Sequence, residues 1–218
     1  MRSLIFATLL TLGWVAQAQS QPRYYTDSDV RQRVVNFNVY GQPGTVFRRI
    51  GADLNGVQPE VTDKFLPRLI GETGFSVDFN LRPLYLGVGV GQTWVNYAHR
   101  LENDEVQDVK ARYWSIPIRA GLVTHLSDEV TLEAWPTVTY RKAISFEHSA
   151  LANPVYAPQF WTAGIQVGAT VAINEYVSFL LMGVMDYGFG DLEEGATWRS
   201  YTELPLFLGV RTGLRVSL

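Results

Sequence analysis

Residues 206–218 read LFLGVRTGLRVSL, and their parity decides what kind of fold the chain can adopt. Leu206, Leu208, Val210, Thr212, Leu214, Val216 and Leu218 fall on one face of an extended strand, with Phe207, Gly209, Arg211, Gly213, Arg215 and Ser217 on the other, because side chains alternate along a strand. One face is apolar and the other carries charge. In a soluble sandwich the apolar face would cover a second sheet, whereas in a membrane barrel it would meet lipid.

Working back from this strand, residues 177–190, 159–173, 130–146, 111–126, 84–99 and 70–82 each read as a strand of ten residues or more. Their alternation is of the same kind. Trp114, Ile116, Ile118, Ala120 and Leu122 oppose Ser115, Pro117, Arg119 and Gly121, and Trp161, Ala163, Ile165, Val167, Ala169 and Val171 oppose Thr162, Gly164, Gln166, Gly168 and Thr170. The stretch 177–190 is apolar on both faces, so parity alone does not separate lipid contact from protein contact there.

The connections alternate in length. Short turns fall at Arg82-Pro83, 126–129 and Asn174-Glu175, with longer polar loops at about 100–110, 147–157 and 191–199 between them. Tight turns at one end and free loops at the other are the pattern of an outer-membrane barrel, and soluble sandwiches follow no such rule. Large aromatics gather at the long-loop end, which predicts an interfacial girdle of Trp94, Tyr97, Tyr113, Trp114, Tyr140, Trp161, Tyr187, Trp198 and Tyr201. Trp135, nearer the turn end, departs from it.

The opposite end of the chain supplies the compartment. MRSLIFATLLTLGWVAQA has Arg2, an apolar run from Leu4 to Val15 and Ala16-Gln17-Ala18, which predicts a secretory signal peptide over 1–18. The run is short for a membrane-spanning helix, and no apolar run of about 18 residues follows it. Net charge is −3 with scattered basic residues, which gives no footprint for nucleic acid. There is no cysteine, hence no disulfide, thiolate metal site or cysteine nucleophile, and stability must come from closure and packing.

Seven strands from residue 70 onward leave an even barrel one short. The eighth is expected from RVVNFNVYG (33–41) or RRIGADLNG (48–56), with GQPG between them as a turn signal. The second is favoured because it leaves a first loop, VQPEVTDKFLPR, similar in length to the others. The domain reading is a lead segment over 19–45 and an all-β, eight-stranded, antiparallel up-and-down transmembrane barrel over 46–218.

The signal peptide, the first-strand tract IGADLNG, the tract YWSIPIRAGL and the alternating C-terminal strand together resemble the small outer-membrane β-barrel domain family of Gram-negative bacteria, the PorT-like eight-stranded kind. Tyr113, Trp114, Ile116 and Pro117 carry the aromatic-x-x-Ile-Pro element, and Leu218 stands where phenylalanine is more usual. The resemblance implies an integral outer-membrane location and outer-membrane lipid as partner. It also implies recognition of the C-terminal strand by the barrel-assembly machinery, and it brings no catalytic residue or cofactor.

The polar faces place Asp53, Glu72, Asp78, Arg82, Arg119, Glu133, Arg141, Asp186, Glu203, Arg211 and Arg215 inside the barrel. Eight strands leave an interior just wide enough for side chains to fill, so these charges are expected to pair across the lumen and close it. That favours a structural or surface-interaction protein over a narrow solute or lipid conduit. A lipid-modifying enzyme is the third reading. Glu147-His148-Ser149 is the sole adjoining acid, base and hydroxyl among three histidines, yet neighbours on a strand point to opposite faces. His99 and His125 lie near opposite strand ends, too far apart to share a metal. The sequence names no external ligand.

Overall fold

The computed structural model describes residues 35–50, 63–81, 84–127, 129–149, 158–190 and 203–218. The predicted signal peptide lies outside them. The strands are β1 (Val35–Ile50), β2 (Lys64–Pro67), β3 (Leu69–Leu81), β4 (Leu84–Arg100), β5 (Val106–His125), β6 (Val130–His148), β7 (Gln159–Ala172), β8 (Val177–Gly188) and β9 (Glu203–Ser217). Each long strand pairs antiparallel with its neighbours in sequence, and β1 closes the ring by pairing with both β3 and β9. The short β2 continues the β3 position of the wall, since both pair with β4, Pro67 opposite Tyr97 and Gly71 opposite Trp94. The wall is thus a closed antiparallel barrel of eight positions. Closure satisfies every strand edge internally, as a structure facing lipid requires.

Alternation sets the two surfaces. Ile118, Val167, Leu181, Val210 and Leu214 are among the large apolar residues exposed on the outer wall, while Arg119, Gln166, Met182, Arg211 and Arg215 are buried inside. Strand β8, ambiguous in sequence, turns Leu180, Met182, Val184 and Asp186 inward and Phe179, Leu181 and Met185 outward. The tight turns are closed by side chains that accept backbone hydrogen bonds. Ser127 Oγ accepts from Glu129 N and Val130 N at 3.3 and 3.1 Å, and Asn174 Oδ1 accepts from Tyr176 N and Val177 N at 2.8 and 2.9 Å. Such local bonds are why Ser and Asn terminate strands here.

Two expectations are corrected. The competing N-terminal segments are not alternatives, because one 16-residue strand, Val35–Ile50, takes in 35–41 of the first and 48–50 of the second, so that among the described residues the wall already includes Val35 to Val46, part of it within the expected lead. GQPG makes no turn. Gly41 to Gly44 stay in register with Thr73 to Ile70 of β3, whereas the β9 ladder skips Gln42 and Pro43. Pro43 has no N–H to donate, so it interrupts a ladder without reversing the chain. Residues 51–56 of the favoured segment lie outside the described residues. The expected loop over 100–110 is also shorter, because Val106 to Lys110 pair with Arg100 to Asn96. The reversal is confined to 101–105, with Asp104 at φ 62° and Asn103 Oδ1 accepting from Glu105 N at 3.1 Å.

Candidate functional site

The interior is filled by two apolar clusters and two ionic tiers. Toward the tight-turn end, Val123, Trp135, Leu180 and Met182 form an apolar cluster on β5, β6 and β8 with the Tyr85 ring packed against it. Trp135, the aromatic that departed from the girdle pattern, faces inward and donates Nε1 to Glu133 Oε2 at 2.8 Å. Opposite it, Gly121 has no room for a Cβ against the indole.

Beside this cluster, at the same end of the barrel, lies an ionic tier of two arginines and two carboxylates, with Glu133 opposite Val123. Arg119 donates Nη2 to Asp78 Oδ1 and Oδ2 at 2.7 and 2.9 Å and to Ser76 Oγ at 2.6 Å. Arg215 holds Glu133 through both terminal nitrogens, with Nη2 to Oε2 at 2.9 Å, and donates Nε to Asn38 Oδ1 at 2.8 Å. Thr170 adds a hydroxyl bond to Glu133 Oε1 at 2.6 Å. Two positive and two negative groups cancel within the tier.

The second ionic tier centres on Glu72. Its carboxylate accepts from Tyr40 Oη at 3.1 Å, Thr93 Oγ1 at 2.8 Å, Arg141 Nη1 at 3.0 Å and Arg211 Nη2 at 3.2 Å. Arg141 also reaches Asp186 Oδ2 at 3.1 Å, while Arg211 donates to Gln42 Oε1 at 2.9 Å and Gln166 Oε1 at 3.1 Å and lies 3.9 Å over the Tyr40 ring. This tier is neutral too. Buried charges persist when paired and hydrogen-bonded in this manner.

An apolar ceiling closes the long-loop end, built from Val46, Ile70, Val95, Tyr97, Val109, Ala111, Tyr113, Phe160 and Phe207. Here the predicted girdle needs correction. Tyr97 and Tyr113 are not interfacial but 1% and 0% exposed inside the ceiling, because they share parity with Val95 and Ala111. Nearness to a loop does not override parity. Trp114 and Trp161 face outward at 50% and 49% exposure, with half-buried Trp94, Tyr140 and Tyr187 on the same outer face. Tyr140 and Trp161 pack with ring centroids 5.0 Å apart. Trp198 and Tyr201 lie outside the described residues.

Of the eleven predicted lumen charges, Glu72, Asp78, Arg119, Glu133, Arg141, Asp186, Arg211 and Arg215 are buried and joined in the two tiers. Asp53, Arg82 and the Glu203 side chain are outside the described residues. Above the ceiling stands a cluster that sequence reasoning missed. Asp63 Oδ2 accepts from Arg48 Nη1 and contacts His99 Nδ1, both at 2.7 Å, with the Phe65 and Tyr97 rings against the imidazole. It anchors the approach to β2, and the only sequence signal was the inward parity of His99. Of Glu147-His148-Ser149, Glu147 is exposed, His148 is buried and Ser149 Oγ accepts from Asp108 N at 2.9 Å. Among the described residues no group of three or more His, Cys, Asp or Glu could hold a metal.

No family model matches the sequence, and no curated protein matches it. Solved structures do. The outer membrane protein OprG from Pseudomonas aeruginosa superposes with a TM-score of 0.55 at 10% identity, covering 85% of this chain and 97% of that one. Neisserial surface protein A gives 0.45 at 14% identity over 83% and 97%. Ail of Yersinia pestis gives 0.39 at 14% identity over 84% and 99%. At such identity the likeness to OprG speaks for the fold alone, and that fold is the small, closed, antiparallel outer-membrane β-barrel.

Proposed function

We propose that this chain is an integral outer-membrane protein whose lumen is closed by its own side chains and whose role is structural or exercised through its surface at the long-loop end. The observation that carries the reading is the interior itself, filled by two neutral ionic tiers and two apolar clusters of the chain's own side chains. A conduit would need an open polar path, and here the charges are buried against one another while the apolar ceiling fills the long-loop end. A lipid-modifying site would need its base and nucleophile to converge, and Glu147, His148 and Ser149 diverge. The outward row Leu214, Val216 and Leu218 supports recognition of β9 by the barrel-assembly machinery. The PorT-like resemblance of Tyr113, Trp114, Ile116 and Pro117 belongs to this same reading, as does the cleaved signal peptide.

Reconstitution into a planar bilayer tests it. The folded protein, identified by its altered gel migration before and after boiling, is expected to give no discrete current steps. On intact cells an epitope inserted at Ala152 or Gly195 should stain, while one at Asp128 should require permeabilisation. Reproducible unitary currents would refute the closed lumen, and staining at Asp128 alone would invert the orientation.

A further inference from the structure

Charge on the outer wall is scarce and mostly positive. The cations on the outward rows beside the aromatic side chains are Arg49, Lys110, Arg112 and Lys142, all exposed, three of them on the adjoining strands β5 and β6, where Asp108 shares the row of Lys110. Register seats them against tryptophan. Arg112 is opposite Trp94, and Lys142 lies between Trp114 on one side and Gln159 on the other. Lys110 stands one step beyond Arg112 on the same row.

Acids nearby are few. Asp108 is engaged by Arg68 at 2.5 Å, and Glu147 is the residue opposite Lys110 at the strand end. Among the described residues no carboxylate forms an ion pair with Lys110, Arg112 or Lys142. A register shift between Arg112 and Tyr113 marks a bulge, and it leaves Ile144, 42% exposed, between Lys142 and Ser145. Bulges of this kind re-aim neighbouring side chains.

Depth decides what these cations meet. Arg112 is two residues beyond Trp114 on one row, about 7 Å along the strand and roughly 5 Å along the barrel axis at a tilt of about 40°. The polar layer of a leaflet is about 5–7 Å thick. The three cations therefore stand at headgroup level, directly above the apolar band of Ile116, Ile118 and Val138.

We propose that Lys110, Arg112 and Lys142, framed by Trp94, Trp114 and Gln159, seat the phosphorylated headgroup of a lipid in the leaflet at the long-loop end, with its acyl chains lying along the apolar band. The chemistry is complementary throughout. A guanidinium binds phosphate through two parallel N–H bonds, lysines add point charge, and indole N–H groups donate at the interface. Three cations within one seat favour a lipid bearing more than one phosphate. The inference rests on the membrane orientation proposed above.

The test uses the full barrel in phosphatidylcholine vesicles doped with a diphosphorylated glucosamine-disaccharide lipid, with phosphatidylglycerol as the single-phosphate comparison. Lipid retained by the extracted barrel is counted by native mass spectrometry. The wild-type chain should retain the diphosphorylated lipid in preference to phosphatidylglycerol. The triple variant Lys110→Gln, Arg112→Gln, Lys142→Gln should retain it at least about tenfold less. Arg49→Gln, whose guanidinium sits 4.4 Å from the Tyr187 ring on the far side of the barrel, should behave as wild type. Equal retention by the triple variant, or equal loss in Arg49→Gln, overturns the seat. Normal insertion and heat-modifiable migration without selective retention overturns the seat alone, whereas failure of the wild-type chain to insert overturns the membrane reading with it.

Discussion

Replacing Glu72 by Gln removes one charge from the centre of the second ionic tier while keeping the side-chain volume. In the native barrel this carboxylate joins Arg141 at 3.0 Å and Arg211 at 3.2 Å, and all three side chains are at most 4% exposed. After the change Arg141 keeps Asp186 at 3.1 Å, but Arg211 has only the neutral oxygens of Gln42 and Gln166. The tier then carries an uncompensated buried cation. Removing one partner of a buried pair costs about 3–5 kcal/mol, and the two charge-assisted bonds weakened here, at about 1.5–3 kcal/mol each, reach the same range. Reversible urea unfolding in vesicles measures the loss, with Glu147→Gln on the exposed strand end as the neutral control. Because burial of charge is the cause, adding Arg211→Met should recover part of the loss by removing the orphaned cation. A loss below about 1 kcal/mol, or no recovery in the double variant, would refute the claim that paired charge holds the interior together.

Gly121→Val drives two methyl groups into the Trp135 ring and should cost about 1–3 kcal/mol in the same assay. Val167→Arg places a charge in the outward row at a site 52% exposed to the surroundings and should cost about 2–4 kcal/mol in a bilayer. A cost near zero would mean that this row does not face lipid.

The sequence by itself carried the alternation, and alternation carried most of the architecture. Arg211 and Arg215 share one face of 206–218 because they are an even number of residues apart, and the same alternation places Arg119, Glu133 and Arg141 on inward faces. Period-two patterning is a property of the extended backbone, so it is legible locally. Partners are not. Arg215 meets Glu133 across 82 residues and Arg211 meets Glu72 across 139, pairings that depend on strand stagger and on closure of the ring. No local signal reports those. The same limit hid Asn38, Gln42, Thr93 and Gln166, neutral side chains that become binding groups once arginines arrive from other strands. GQPG shows the converse failure. Glycine and proline permit a turn, but the ladders to β3 and β9 hold the segment extended, and only the tertiary structure decides which tendency prevails. Tyr97 and Tyr113 stand next to loops, yet their shared parity with Val95 and Ala111 points inward, so the ceiling they build is half-written in the sequence. What the sequence could not contain is the meeting of Asp63, His99 and Arg48, three residues from separate segments brought within hydrogen-bond reach by the way β2 lies against the end of β4.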